Sequence, residues 1–201
     1  DGDGTTEIGV VRGGHFWYLD YNGNGVWDGT VTDRYYGFGT APDVPVTGDW
    51  DGDGTSEIGV VRANQTWYLD YNGNGVWDGS VTDRLYGFGR TPDVPVTGDW
   101  DGDLTTEIGI VRGGHFWYLD YNGNGVWDGT VTDRYYGFGT APDVPVTGDW
   151  DGDQATGIGI VRANKTWYLD YNGNGVWDGS VTDRLFGFGS TGDKPITGTW
   201  G

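Results

Sequence analysis

Apolar, aromatic and β-branched residues come in short runs along this chain, and clusters of Gly, Asn, Asp and Pro separate them. In the second repeat the pattern predicts four strands, Glu57–Arg62, Thr66–Asp70, Thr82–Gly89 and Val94–Trp100. No apolar pattern with the helical period runs long enough for a helix. The same pattern returns every 50 residues without insertion. The word Trp-Tyr-Leu-Asp-Tyr-Asn-Gly-Asn-Gly-Val-Trp-Asp begins at Trp17, Trp67, Trp117 and Trp167. The first and third repeats differ only at Gly4/Leu104 and Val10/Ile110. The second and fourth share another hairpin, Ala63-Asn64-Gln65-Thr66 and Ala163-Asn164-Lys165-Thr166, where the other pair has Gly13-Gly14-His15-Phe16. The pairing points to duplication of a 100-residue block, by recent amplification or by design.

Four short strands in each repeat is the pattern of a propeller blade. A β-helix needs a shorter coil, and a sandwich does not need near-copies. The expected fold is all-β: one β-propeller domain over residues 1–201, with repeats 1–50, 51–100, 101–150 and 151–200 as four-stranded blades. Residue 1 falls inside a loop motif, as a processed or cloned edge would. The segment Lys194–Trp200 is expected to join the N-terminal blade as its missing strand and close the ring, which removes an open sheet edge. The alternative is half of an eight-bladed ring completed by a second chain, so the protein is expected to be a monomer or a homodimer.

Each repeat carries two oxygen-rich loops. The first is Asp20-Tyr21-Asn22-Gly23-Asn24-Gly25-Val26-Trp27-Asp28. Oxygen side chains stand at its positions 1, 3, 5 and 9, Gly at 6 permits a sharp turn, and Val26 at 7 offers a carbonyl. That is the ligand order of a calcium loop. Val31 replaces the usual position-12 Glu, so a compact inter-strand loop is expected rather than a helical one. The candidate ligands are Asp20, Asn22, Asn24, Val26 and Asp28; Asp70, Asn72, Asn74, Val76 and Asp78; Asp120, Asn122, Asn124, Val126 and Asp128; and Asp170, Asn172, Asn174, Val176 and Asp178.

The second loop is richer in acid. Its candidate ligands are Asp49, Asp51, Asp53, Thr55 (by its carbonyl) and Glu57, and likewise Asp99, Asp101, Asp103, Thr105 and Glu107. Leu104 stands where Gly54 makes the turn. The copy at Asp149, Asp151 and Asp153 has Gln154 at the turn and Gly157 in place of the last acid, so a weak or empty site is expected. The copy spanning the chain ends, with Asp1, Asp3, Glu7 and Thr199, is expected to be equally doubtful.

Charge supports this reading. The chain has 30 acidic and 11 basic residues, a formal charge of −19. Twenty-two of the acids lie in the eight loops, so without the loops the chain would be slightly basic. Carboxylates brought together repel unless a cation neutralises them, and hard oxygen ligands in this number suit Ca²⁺ better than Mg²⁺. Asp-Gly and Asn-Gly are also common tight-turn pairs. The recurring spacing favours the calcium reading over plain turns.

Other classes are excluded or disfavoured. No cysteine means no disulfide or thiolate site. No apolar run is long enough for a transmembrane helix. The acidity argues against nucleic acid as the main partner. With 12 Trp, 13 Tyr and 7 Phe the chain is too aromatic for disorder.

At Phe38-Gly39, Pro45-Val46-Thr47-Gly48-Asp49-Trp50-Asp51-Gly52-Asp53-Gly54 and Glu57-Ile58-Gly59-Val60, the chain resembles the FG-GAP/VCBS repeats of integrin α-subunit type, found in many bacterial and archaeal surface proteins. The resemblance covers all four repeats. It implies propeller blades, calcium in the loop between first and second strands, and an extracellular or cell-surface setting. The Asn-containing loops are not part of it.

No enzyme is expected. His15 and His115 recur in hairpins of two repeats that contain no Ser, the clustered acids are already assigned to loops, and near-identical repeats spread every residue over several places. The expected function is a calcium-stabilised structural or adhesion module. Glycans or a cell-surface protein are the candidate partners. One alternative is a lectin, with aromatics such as Trp27 stacking on sugars; for Trp17 and Trp50 packing between blades is the expected role. Another is an amplified or designed scaffold with no native ligand. Asp33 and Arg34 are expected to form an ion pair or to be solvated. Asn64-Gln65-Thr66 and Asn164-Lys165-Thr166 match the N-glycosylation pattern.

Overall fold

The computed structural model describes residues 6–198 and is all-β. The sheets are antiparallel meanders, the blades that the 50-residue period predicts. Strands β1 (Gly9–Arg12), β2 (Phe16–Leu19) and β3 (Arg34–Gly37) form the first sheet. The second contains β4 (Val44–Gly48), β5 (Glu57–Val61), β6 (Thr66–Leu69) and β7 (Arg84–Gly87). The third contains β8 (Val94–Gly98), β9 (Glu107–Arg112), β10 (Phe116–Leu119) and β11 (Arg134–Gly137). The fourth contains β12 (Val144–Gly148), β13 (Gly157–Val161), β14 (Thr166–Leu169) and β15 (Arg184–Gly187).

Blade and repeat boundaries do not coincide. The strand that ends one repeat pairs with the first strand of the next, with Val44 opposite Val61 and Gly48 opposite Glu57. The strands are shorter than the sequence suggests because their ends turn into loops. The Trp100 N–H leaves the ladder and donates to Glu107 Oε2 at 2.9 Å. The segment before β7 is a turn, in which the Thr82 and Asp83 N–H groups both donate to the Gly79 carbonyl.

The closing strand expected at Lys194–Trp200 is not formed within the described residues. Residues 194–198 carry no strand, the first sheet has three strands, and residues 199–201 lie outside the description. In the complete sheets the strand at this repeat position is paired by the strand that follows it in sequence.

The described residues divide into two compact units, one ending at Thr91 and one beginning at Pro92. In the first unit Trp17 and Phe38 of one sheet pack with Ile58 and Val60 of the next. In the second, Trp117 and Phe138 meet Ile158 and Ile160, with Trp100 and Leu119 beside them. The inner strand β5 is buried at every position, whereas the outer strand β7 alternates between half-buried and exposed. Trp17 and Trp50 are buried as expected, each with its indole N–H bound to a carbonyl, that of Phe38 at 3.0 Å and that of Ile58 at 3.2 Å.

Arginines line the sheets in two series. Arg62 lies over the Tyr68 ring at 4.0 Å and Arg84 over the Tyr71 ring at 3.6 Å, and both contacts recur in every repeat. The Asp33–Arg34 ion pair is not formed. Arg34 stacks on Tyr21 and donates to the Thr32 and Asp33 carbonyls, while the buried Asp33 carboxylate is engaged elsewhere.

Candidate metal centre

The acidic loop joins β4 to β5. Its turn is organised by its own carboxylates: Asp49 Oδ1 accepts the Gly52 and Asp53 N–H groups at 2.7 and 3.1 Å, and Asp49 Oδ2 accepts that of Gly54 at 2.9 Å. Asp51 Oδ1 accepts the Asp53 N–H, and Asp53 Oδ1 that of Thr55. Glu57 enters from the first residue of β5, where Oε2 holds the Trp50 N–H at 3.0 Å. One carboxylate oxygen each from Asp49, Asp51, Asp53 and Glu57 then lies within 4.8 Å of the others. Asp99, Asp101, Asp103 and Glu107 converge in the same way, and so do Asp149, Asp151 and Asp153. These acids are positioned to hold a metal ion. The copy at Asp1, Asp3 and Thr199 lies outside the described residues.

Burial makes the cluster electrostatically demanding. Glu57 is only 6% exposed, and burial first, then Asp51, Asp49 and Asp53, pushes its pKa up to about 8 against the Trp50 hydrogen bond. Glu107 is pushed to about 8, again chiefly by burial, with Asp101 and Asp103 adding to it.

The turn geometry survives the loss of its glycine. Gly54 has φ +90°, and Leu104 and Gln154 take the same left-handed conformation at φ 78° and 79°. That conformation costs a side-chain-bearing residue about 1–2 kcal/mol. Leu104 is exposed and gains nothing by packing. Leu104→Gly is expected to stabilise the protein by about 0.5–1 kcal/mol, the relief of strain being partly offset by the freer unfolded chain. Urea denaturation in calcium-free buffer measures this, and a less stable variant refutes it.

The Asn-containing loop joins β2 to β3. Its candidate ligands also come together. Asn22 and Asn24 donate through Nδ2 to Asp28 Oδ2 at 3.4 and 2.6 Å, and Asp20 Oδ2 accepts the Gly25 N–H at 2.6 Å. Asn24 Oδ1 accepts the Val26 N–H at 2.8 Å, which leaves that oxygen a second lone pair. The arrangement recurs in all four repeats. Asp20, Asp70 and Asp120 each keep one buried oxygen, Oδ1, without a hydrogen-bond partner. Burial raises Asp70, Asp120 and Asp170 to about 6. The two loops of a repeat are neighbours: the Asp70 N–H bonds the Ile58 carbonyl at 3.0 Å, and a Cβ built on Gly73 would lie 3.4 Å from Glu57 Cγ.

The residue that clamps this loop escaped the sequence reading. Asp33 is fully buried; Oδ1 accepts the Tyr21 N–H at 3.2 Å and Oδ2 the Asp28 N–H at 2.6 Å. One carboxylate thereby ties both ends of the loop, and Asp83, Asp133 and Asp183 repeat it. The recurrent Thr-Asp-Arg triplet was the available signal. Neighbouring sheets also brace the loop. The Tyr36 ring occupies the space where a Cβ on Gly75 would sit, 1.9 Å from its nearest ring carbon, so that position requires glycine for space as well as for its φ of +77°.

His15 sits in its hairpin with Nδ1 2.8 Å from the Gly13 carbonyl, and Trp27 is exposed. Comparison with family models, curated proteins and solved structures finds no match.

Proposed function

We propose that the chain is a calcium-binding, calcium-stabilised extracellular propeller of FG-GAP/VCBS type, serving as a structural or adhesion module. The observation that carries this is the carboxylate cluster of Asp49, Asp51, Asp53 and buried Glu57, repeated at Asp99, Asp101, Asp103 and Glu107. The three aspartates repel one another, and without a cation the buried Glu57 keeps its proton up to about pH 8; a hard divalent cation supplies the missing countercharge and lets the fourth acid ionise. Only oxygen donors are present, which suits calcium.

The Asn-containing loops fit the same ion by a different balance. Each offers two carboxylates and two amide oxygens, and the unpartnered oxygens of Asp20, Asp70 and Asp120 are buried acceptors that lack a donor. A cation held there would join the ends of the two outer strands. In the acidic loops it would join the two inner ones. Its role is to make each loop a fixed corner rather than a self-repelling turn. Asp51, Asp53 and their counterparts are exposed, and open sites of this kind suit the millimolar calcium found outside cells.

Native mass spectrometry of the full chain in calcium tests the reading. Six retained ions are expected, four in the Asn-containing loops and two in the acidic loops that end in Glu57 and Glu107. A spectrum with no retained calcium overturns the proposal. Loss of one ion in Asp99→Asn with the fold intact would place it.

A further inference from the structure

Each Asn-containing loop holds the pair Asn-Gly twice, so eight of the chain's ten asparagines stand before a glycine. Glycine has no Cβ to shield its nitrogen, and that nitrogen can close onto the side-chain amide before it. The two asparagines of a loop are held very differently. Asn24 is locked together with its glycine. Its Nδ2 donates to Asp28 Oδ2 at 2.6 Å, its Oδ1 accepts the Val26 N–H at 2.8 Å, and the Gly25 N–H donates to Asp20 Oδ2 at 2.6 Å. The same three bonds, all between 2.6 and 2.8 Å, hold Asn74, Asn124 and Asn174. Gly75 and Gly175 are also buried, against the Tyr36 and Tyr136 rings.

Asn22 is held loosely. Its Nδ2 lies 3.4 Å from Asp28 Oδ2, and its Oδ1 lies 3.3 Å from the Asn24 nitrogen. At Asn72, Asn122 and Asn172 the same contacts measure 3.1 to 3.4 Å. The Gly73 and Gly123 N–H groups make equally long contacts, 3.4 and 3.5 Å, to the Asp70 and Asp120 carbonyls. Asn22, Gly23 and their counterparts are exposed in all four loops. Contacts of this length are weak. The amide and the glycine nitrogen can therefore turn toward one another while the short bonds around Asn24 stay in place.

We propose that Asn22, Asn72, Asn122 and Asn172 are sites of spontaneous deamidation, and that Asn24, Asn74, Asn124 and Asn174 are protected from it. The Gly23 nitrogen attacks Asn22 Cγ. The N–Cγ bond forms, the Cγ–Nδ2 bond breaks, and Nδ2 leaves as ammonia with the proton of the Gly23 nitrogen. Solvent water then opens the cyclic imide at either carbonyl, which gives aspartate or isoaspartate. Aspartate adds a third carboxylate to Asp20 and Asp28 and reproduces the spacing of Asp49, Asp51 and Asp53 at the first two positions of the loop. Isoaspartate lengthens the backbone by one carbon and distorts the turn. The charge and shape of these loops thus depend on the age of the molecule as well as on its sequence.

Prolonged incubation of the full chain in neutral buffer with EDTA tests this. Tryptic peptides are then read by mass spectrometry against a zero-time digest. Peptides 13–34 and 113–134 are identical and are read together, and fragment ions separate the two asparagines. Acid is expected to replace amide roughly tenfold faster or more at Asn22 and its counterparts than at Asn24 and its counterparts. In urea, where the loop bonds are gone, the two positions should react at similar rates. Equal rates in the folded chain overturn the proposal, as does faster reaction at Asn24. So does a folded chain that keeps every amide while the unfolded chain loses them. Millimolar calcium should slow the reaction at Asn22 too, because an ion held by its Oδ1 fixes the amide. That last expectation alone rests on the calcium reading: an unchanged rate in calcium, with the selectivity in EDTA intact, counts against calcium at these loops and leaves the reactive asparagine established.

Discussion

In excess EDTA the protein is expected to melt far below its melting temperature in millimolar calcium. A ligand that binds only the folded state adds about 2.7 kcal/mol per site at a hundredfold excess over Kd. The two loops that end in Glu57 and Glu107 alone would contribute about 5 kcal/mol at that excess, or about 10–20 °C for a chain of this size. The effect should depend on pH in a defined direction. In the metal-free protein burial raises Glu57 and Glu107 from 4.5 to about 8, so between those values the folded state holds protons that the unfolded chain has released. Stability of the EDTA-treated protein must therefore fall as pH rises through that window. Calcium competes with those protons and removes the penalty. The gap between the calcium and EDTA melting curves should widen from below pH 4.5 to above pH 8. Coincident curves at every pH would show that the loops are plain turns.

Trp117→Ala is expected to cost about 3–5 kcal/mol in a urea titration. The side chain is 0% exposed, packs with Phe138, Ile158 and Ile160, and spends its indole N–H on the Phe138 carbonyl at 3.0 Å. Its removal opens a cavity between two sheets and leaves a buried carbonyl without its donor. Trp127 in the same repeat is 36% exposed and meets Tyr118 edge-on, so Trp127→Ala should cost about 1 kcal/mol. Equal losses for the two would contradict the division of aromatics into inter-sheet filler and loop surface.

Much of the fold was legible from the repeats. Near-identical words at one fixed spacing leave few ways to fold, and the runs between Gly, Asn and Asp are too short for anything but blade strands. The acidic loops were legible for the same reason, since ligand order is a property of spacing. Three features were not. The sequence places Asp33 next to Arg34 and suggests an ion pair, but the turn from Gly29 swings the carboxylate onto two loop N–H groups. The left-handed backbone of Leu104 is hidden because nothing in its side chain reports φ. The expected closing strand depended on a partner strand that its own segment of chain does not supply.

Local chemistry by itself determined the strands, the turns and the seven oxygen-rich loops among the described residues, because each needs only residues within one or two repeats. Tertiary structure decided which acids are buried, which glycines are irreplaceable and which apolar faces stay open. The reason is that desolvation and coverage are set by what lies across the gap. Phe138 and Phe188 have nearly the same neighbours in sequence, and only the next sheet makes one of them core and the other surface.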